Sequence, residues 1–293
     1  MSTTYAVMAY NEFDPTRERG ERFFRSFSAA QQHPGIDEVL VVDDGSDDYT
    51  WLQERVSQIP SVKLYHNEKN LGVFLNKIEI IARATGDWVI TCDSDNFKNA
   101  PHIDKALSLQ QDPDVWYCPS FARPAFDYRR FIGEYNLGDI SRFDQGGYKE
   151  RNVARCCLNT GNQMVHRETF MEVFGQYRGT DYWLDMWRFL WDVNVHERSK
   201  HYWRQVWDAN DSMLFNMLWL EAGKRLQVVD QLEYTHFLAK TDSSNYNRSP
   251  HEKGIVGLAL WDELMEKSEA CHNKPAVEDS KDCNNEPNDK EQE

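Results

Sequence analysis

The stretch Val89-Ile90-Thr91-Cys92-Asp93-Ser94-Asp95 is an apolar run that ends in an Asp-x-Asp pair. A similar run with an acidic end, Val41-Val42-Asp43-Asp44-Gly45-Ser46, precedes it in the chain. Short apolar runs that are closed by acidic and turn-forming residues indicate buried strands. Carboxylates at the carboxyl ends of neighbouring parallel strands converge on the crevice where α/β sheets bind nucleotides. An Asp-x-Asp pair in that crevice can hold a divalent cation against a diphosphate.

The residues around these two stretches alternate between strand and helix patterns. Strands are predicted at Tyr5–Ala9, Glu38–Val42, Val62–Tyr65 and Trp88–Cys92. Helices are predicted at 17–31, Tyr49–Ile59 and Val73–Ala84, the last of which is followed by Gly86. Strands that alternate with helices indicate a mostly parallel sheet with helices on its faces.

Composition excludes several classes of protein. The chain has 293 residues, of which 40% are hydrophobic and 13% aromatic, so it can bury a sizeable core. Its formal charge of −15, with 33 Lys and Arg against 48 Asp and Glu, argues against a nucleic-acid partner. No apolar run approaches the roughly 18 residues of a membrane span, and no signal-peptide pattern is present, so we expect a cytoplasmic protein without a transmembrane segment. The six cysteines have no CxxC spacing, which favours reduced thiols.

The order of the motifs resembles the glycosyltransferases of family 2. The resemblance rests on Tyr10-Asn11-Glu12, Val42-Asp43-Asp44-Gly45-Ser46, Asn70-x-Gly72 with Asn76, Gly86-Asp87 and Asp93-x-Asp95, and more loosely on Asn159-Thr160-Gly161-Asn162. It implies an α/β, GT-A-like (Rossmann-like) fold in which helices flank a mostly parallel central sheet. Residues 1–100 would form the nucleotide-binding half and residues 101–265 an α+β acceptor-binding half of the same domain. The polar residues 266–293 are predicted to form a disordered acidic tail.

The resemblance also implies a nucleotide-sugar donor, most commonly a UDP-sugar, and a divalent metal, Mn²⁺ or Mg²⁺. Asp95 is expected to bind the ion directly, Asp93 to contact the ribose or a metal-bound water, and His236 to be a third ligand. Neutral imidazole suits Mn²⁺ better than Mg²⁺. The residues expected to contact the donor are Ala9, Tyr10, Glu12, Asp43, Asp44, Asn76, Asp93, Ser94 and Asp95, with Asp44 on the base.

Several of these residues have a structural alternative. Asp43 and Asp44 can be turn or helix-capping residues, because their carboxylates accept hydrogen bonds from free backbone N–H groups. Asn76 lies among apolar residues of a predicted helix, where it can make a core hydrogen bond instead of facing the nucleotide. A lone histidine at a strand end, such as His236, is often merely hydrogen bonded.

Inverting transfer needs a base that takes the proton of the acceptor hydroxyl. The resemblance gives this role to Asp211, which opens an apolar-rich helix, and Asp208 is the alternate. The family's usual Glu is replaced by Asn210 here. The structural alternative for Asp211 is a carboxylate that the helix dipole stabilises. Inversion is favoured on resemblance alone, and retaining chemistry stays open.

The acceptor is expected to be a glycan, a lipid-linked sugar or a small molecule. Tryptophans at spacing four, Trp183, Trp187 and Trp191, can form core, stack on sugars or lie at a membrane surface, so peripheral membrane association stays open. The polar segment Lys240–Arg248 can close over the diphosphate. Two other functions stay open, a non-catalytic carbohydrate- or partner-binding module on the same fold and a sugar nucleotidyltransferase. The latter would normally have a Gly-rich phosphate loop after the first strand.

Overall fold

A computed structural model describes residues 1–12, 19–124, 126–140, 162–180, 211–236 and 262–271 of the chain. Its α-helices are α1 (Arg19–Gln31), α2 (Tyr49–Val56), α3 (Val73–Arg83), α4 (Ala100–Leu107), α5 (Arg167–Phe174), α6 (Asp211–Glu221) and α7 (262–271). Its strands are β1 (Thr3–Ala9), β2 (Glu38–Asp43), β3 (Val62–His66), β4 (Trp88–Asp93), β5 (Asn96–Phe97), β6 (Val115–Arg123), β7 (Phe126–Asp127), β8 (Gly133–Tyr135), β9 (Met164–His166) and β10 (Arg225–His236). Short 3₁₀ helices cover Arg129–Phe131 and Gly175–Tyr177.

The described strands form one sheet in the order β3-β2-β1-β4-β9-β6-β10-β5, with β7 beside β6 and β8 beside β10. Strands β1 to β4 are parallel to one another, and β10 is parallel to β6. Strand β9 is antiparallel to both of its neighbours, β4 and β6. The predicted mostly parallel sheet with flanking helices is therefore confirmed.

The register of β1 brings the two acidic motifs together. Ala9 at the end of β1 pairs with Asp43 of β2, and Met8 pairs with Asp93 of β4 on the other side. Both aspartates therefore end their strands beside the carboxyl end of β1. This arrangement follows from parallel pairing, because neighbouring strands that run the same way end at the same edge of the sheet.

Apolar residues cover both faces of the sheet, which explains why its strands are nearly continuous apolar runs. Successive side chains of β1 point to opposite faces. Ala6 and Met8 belong to a core with residues of α3, α5, α6 and α7. Tyr5 and Val7 belong to the core on the other face, with residues of α1, α2 and α4. The two cores hold the carboxyl edge of the sheet between two layers of helices.

Helix α7 corrects one predicted boundary. Disorder was predicted from residue 266, but α7 continues through residue 271. Leu264, Met265 and Ser268 are buried, and Lys267 donates to Glu221 of α6 at 2.6 Å. A few apolar contacts and one ion pair therefore order a segment whose composition is largely polar. Residues 272–293 lie outside the described part.

Several predicted features also lie outside the described residues. They are Asn159–Gly161, the tryptophans from Trp183 to Trp207, Asp208, Asn210 and the segment Lys240–Arg248. Within the described ranges, none of the helices has the length and apolar character needed to cross a membrane.

Candidate active site

The loop after β1 joins the loops after β2 and β4. The backbone N–H of Asn11 donates to Ser46 Oγ at 2.7 Å, and Asn11 has a positive φ of 50°. The carboxylate of Glu12 is buried and accepts a hydrogen bond from Ser94 Oγ and one from the Tyr10 N–H at 3.3 Å. Tyr10 itself is 46% exposed, so its ring is available to a ligand above the sheet edge. Ala9, the last residue of β1 and the partner of Asp43, is buried.

Asp43 organises the turn that follows β2. Its carboxylate is fully buried and accepts hydrogen bonds from the Ser46 hydroxyl and from the Ser46 N–H at 2.9 Å. The Nδ1 atom of His66 on β3 lies 2.8 Å from Asp43 Oδ2. These contacts are those of the turn residue that we named as the structural alternative, and the predicted contact of Asp43 with the donor stays a prediction.

Asp44 fixes the loop between β3 and α3. Its two carboxylate oxygens accept from the N–H groups of Leu71 at 2.8 Å and Gly72 at 2.9 Å, and from Asn67 Nδ2 at 3.1 Å. The same Asn67 amide donates to Asn76 Oδ1 at 3.0 Å, and both asparagines are buried. Asp44 and Asn76 thus make the hydrogen bonds that the structural alternative predicted. A role on the nucleotide base stays a prediction.

Replacing Asp44 tests its structural role. We expect Asp44→Asn to lower the free energy of unfolding by about 2–3 kcal/mol, because hydrogen bonds to a charged acceptor contribute ~1.5–3 kcal/mol and an amide nitrogen cannot accept from Leu71 or Gly72. Urea denaturation measures this loss. Asp47→Asn, a change of an exposed residue in the same turn, is the control and should leave the free energy of unfolding unchanged. Equal free energies of unfolding of the two variants would contradict the structural role of Asp44 in the loop between β3 and α3.

Asp93 is held by two asparagine side chains. Its Oδ2 atom accepts from Asn162 Nδ2 at 2.7 Å and from Asn96 Nδ2 at 3.0 Å. Its backbone N–H donates to Asn162 Oδ1 at 3.0 Å. Asn162 is buried and precedes β9, and its amide also lies 3.4 Å from the Tyr234 hydroxyl. Sequence reasoning placed Asn162 in an acceptor-side segment and missed its contact with the Asp-x-Asp motif.

Two buried polar side-chain atoms near Asp93 have no hydrogen-bond partner among the described residues. They are Asn96 Oδ1 and His236 Nδ1. Asn96 and His236 are directly opposite each other in the antiparallel β5–β10 pair. Burial lowers the pKa of His236, and the charge of Asp93 only partly offsets this, so the imidazole is neutral at pH 7. A neutral imidazole and an amide oxygen are both metal ligands.

These residues fit a divalent cation. No group of three or more His, Cys, Asp and Glu side chains is arranged to hold an ion within the described ranges. Mg²⁺ and similar ions, however, are often bound through one or two carboxylates together with substrate phosphates and waters. Asp95 is half-buried in the same motif. Burial raises the pKa of the nearby Tyr234 hydroxyl well above its ordinary value, and the negative charges of Asp93 and Asp95 raise it further.

A buried lysine lies on the inner side of the motif. Lys98 is 1% exposed, donates to the Thr91 carbonyl, and has its ammonium 5.8 Å from the centre of the Tyr234 ring. Burial lowers its pKa to about 8, against the attraction of Cys92 and Asp93. Burial also raises the pKa of the Cys92 thiol to about 12, so this thiol is not a nucleophile.

Asp211, the predicted base, opens α6 and pairs with a second buried lysine. Lys77 Nζ on α3 donates to Asp211 Oδ2 at 2.8 Å, across 134 positions of sequence. Sequence reasoning missed Lys77. The available signal was its position in α3, since it lies three residues after Phe74 and four before Ile81, both of which are buried. A charged residue at a core position of a helix indicates a buried partner.

Comparisons with known proteins agree with this architecture. The family model described as "Glycosyl transferase family 2" matches residues 5–174. An N-acetylglucosaminyltransferase of Bradyrhizobium elkanii is 33% identical over 90 residues, which are 30% of this chain and 50% of the relative. The match therefore spans half the length of that relative.

Two solved structures have a similar fold. TarS residues 1–349 of S. aureus, in complex with UDP-GlcNAc, covers 93% of this chain and 72% of its own at 13% identity and a TM-score of 0.53. GalNAc-T7 with UDP, GalNAc and Mn²⁺ covers 92% of this chain and 50% of its own at 13% identity and a TM-score of 0.50. These likenesses confirm the GT-A-like fold. Because the family match extends over more than half of the sequence and includes both acidic motifs, the chain belongs to glycosyltransferase family 2.

Proposed function

We propose that this protein transfers a sugar from a UDP-sugar donor to a carbohydrate or lipid-linked acceptor, with a divalent metal and with inversion at the anomeric carbon. The observation that carries the proposal is the environment of Asp93. Its carboxylate is held by Asn96 and Asn162, and the buried atoms Asn96 Oδ1 and His236 Nδ1 have no partner in the described part of the chain. Buried polar atoms in proteins usually have a hydrogen-bond partner, so two such atoms beside a carboxylate indicate a place for a bound ligand.

The donor would lie at the carboxyl edge of the sheet. Asp95, Asp93 and His236 would hold Mn²⁺ or Mg²⁺, and the buried amide oxygen of Asn96 would be an additional ligand. When bound, the ion supplies positive charge to the phosphate oxygens of the leaving group. Tyr10, Glu12 and Ser94 would line the nucleoside side, with Ala9, Asp43, Asp44 and Asn76 behind them.

The residues of the chain then have distinct tasks in the transfer. The acceptor oxygen forms a bond to the anomeric carbon as the bond from that carbon to the phosphate oxygen breaks. Asp211 takes the proton of the acceptor hydroxyl, and the nucleoside diphosphate leaves with the electron pair of the broken bond. A base positioned for this proton contributes about 10²–10⁴ to the rate.

For the donor we propose UDP carrying an N-acetylhexosamine. The support comes from relatives, namely the N-acetylglucosaminyltransferase that shares 33% identity over 90 residues and the solved structures that contain UDP-GlcNAc, or UDP with GalNAc. The acceptor class and the metal dependence are proposed from membership of the family. Inversion is proposed from the family and from the place of Asp211 at the start of α6.

Calorimetric titration tests the donor and the metal together. The purified protein is titrated with UDP, GDP and dTDP, each with and without Mn²⁺. We expect UDP to bind only with Mn²⁺ present, because Asp95, Asp93 and His236 would hold the ion and the ion would supply positive charge to the diphosphate. UDP-GlcNAc and UDP-GalNAc then serve as the first donors for acceptor screening. Failure of all three nucleotides to bind would overturn the proposal and favour a non-catalytic binding module.

A further inference from the structure

We propose that Lys77 is a positioning residue for the base Asp211, a role that rests on the transfer reaction proposed above. The ammonium of Lys77 binds one carboxylate oxygen of Asp211, Oδ2, at 2.8 Å. The other oxygen, Oδ1, lies 3.4 Å from Ser212 Oγ and remains the one that can accept the acceptor proton. The contact therefore decides which carboxylate oxygen faces the reaction.

Burial of the pair supports a positioning role. The side chain of Lys77 is 2% exposed, whereas that of Asp211 is 12% exposed. The lysine thus lies beneath the carboxylate and the carboxylate lies on the side that solvent or an acceptor can reach. Burial alone would lower the pKa of Lys77, but attraction from Asp211 and Asp93 raises it, so the ammonium stays charged. A fixed cation beneath an aspartate keeps it in one orientation.

The ammonium is also held from the side by an aromatic ring. Lys77 Nζ lies 5.5 Å from the centre of Phe215, which follows Asp211 by one helical turn on α6. Phe215 in turn stacks on Phe74 of α3 with ring centres 4.2 Å apart. The two helices are therefore packed together at the ion pair, and neither side chain needs to reach across open space.

The charge of Lys77 is felt on both sides of the proposed reaction. Its charge is attracted by Asp93 of the donor motif as well as by Asp211. Helix α3 belongs to the predicted nucleotide-binding half, and α6 belongs to the acceptor-binding half. We infer that Lys77 sets the base at a fixed distance from the donor motif, so that the acceptor hydroxyl and the anomeric carbon meet in line.

Lys77→Met tests this inference in the full-length protein. We expect kcat for transfer to fall by about 100-fold, the loss that accompanies a shift of ~1 Å in a catalytic group. The Kd for UDP with Mn²⁺ should not change, because Asp95, Asp93 and His236 remain. Lys77→Arg, which keeps the charge and the donor groups, should recover part of kcat. Lys63→Met is the matched control, since Lys63 also pairs with a carboxylate, Glu38, at 2.7 Å but is outside the site.

A double-mutant cycle separates positioning from folding. If Lys77 acts through the base, Lys77→Met adds no further loss of kcat to Asp211→Asn, whereas independent effects would multiply. The double variant also leaves no unpaired charge of the ion pair, so we expect it to be more stable than Lys77→Met alone. Multiplying effects, or a loss of UDP affinity equal to the loss of kcat, would overturn the inference and assign Lys77 to donor binding. If the wild-type protein transfers no sugar, both the proposed function and the role of Lys77 are overturned. If the wild type is active and Lys77→Met is equally active, only the positioning role of Lys77 is overturned.

Discussion

Asp211→Asn is expected to slow sugar transfer by about 10²–10⁴-fold while leaving nucleotide binding intact. The amide cannot take the proton of the acceptor hydroxyl, and removal of a general base costs about 10²–10⁴ in rate. The residues proposed to contact the donor lie at the ends of β1, β2 and β4, in the loops that follow and, for Asn76, in α3, whereas Asp211 belongs to α6. Initial rates with a saturating donor, together with calorimetry of UDP binding, measure the two effects separately.

The Asp211→Asn experiment needs a check on folding, because the variant removes one member of a buried pair. Loss of one partner of such a pair can cost about 3–5 kcal/mol of stability. The assay is therefore run at a temperature where circular dichroism shows the variant to be folded. Asp230→Asn, on an exposed residue of β10, is the control and should retain full activity. Turnover in Asp211→Asn at the control's level would refute the base assignment and point to Asp208.

Asp95→Ala is expected to remove metal-dependent nucleotide binding. Substitution of residues that only orient a metal ligand already weakens metal binding by 10–100-fold, so loss of a direct ligand should exceed about 100-fold. Asp93 Oδ2 already accepts hydrogen bonds from two amide donors, Asn96 Nδ2 and Asn162 Nδ2. Titration of the variant with UDP, with and without Mn²⁺, measures the loss.

Two further variants provide the comparison for Asp95→Ala, one with a smaller expected loss of UDP affinity and one with none. Asn162→Ala removes a residue that orients Asp93, so its UDP affinity should fall by only about 10–100-fold. Asp104→Ala replaces an exposed carboxylate on α4 that pairs with His33 and should bind UDP like the wild type. If Asp95→Ala binds UDP as tightly as Asp104→Ala does, the direct-ligand role of Asp95 is wrong.

The sheet of the first half could be predicted from sequence because its signals are local. Apolar runs such as Val39–Val42 and Val89–Cys92, each closed by aspartates, identify strands whose ends converge once parallel pairing is assumed. Strand β5 has only two residues and is defined by its pairing with β10, so no periodicity can reveal it. The order of α7 depends similarly on contacts with α6 and not on its own composition.

The contacts inside the candidate site could not be predicted because they join distant parts of the chain. Asn162 reaches Asp93 across 69 positions, and Lys77 reaches Asp211 across 134. A sequence motif identifies each aspartate but not the side chain that holds it. The motif also does not distinguish Asp44, whose oxygens accept from a neighbouring loop, from Asp93, which lies beside buried polar atoms that have no partner among the described residues.

The place of β9 has a consequence for how the chain folds. This strand comes from the predicted acceptor-binding half but lies between β4 and β6, where its residues pair with Trp88, Val89 and Ile90 of β4. Without it, β4 would be an apolar edge strand with unpaired N–H and C=O groups, which promotes aggregation. The edge of β4 therefore stays open during synthesis until Met164–His166 has been made. The sheet is completed only when residues far beyond the nucleotide-binding half have emerged from the ribosome.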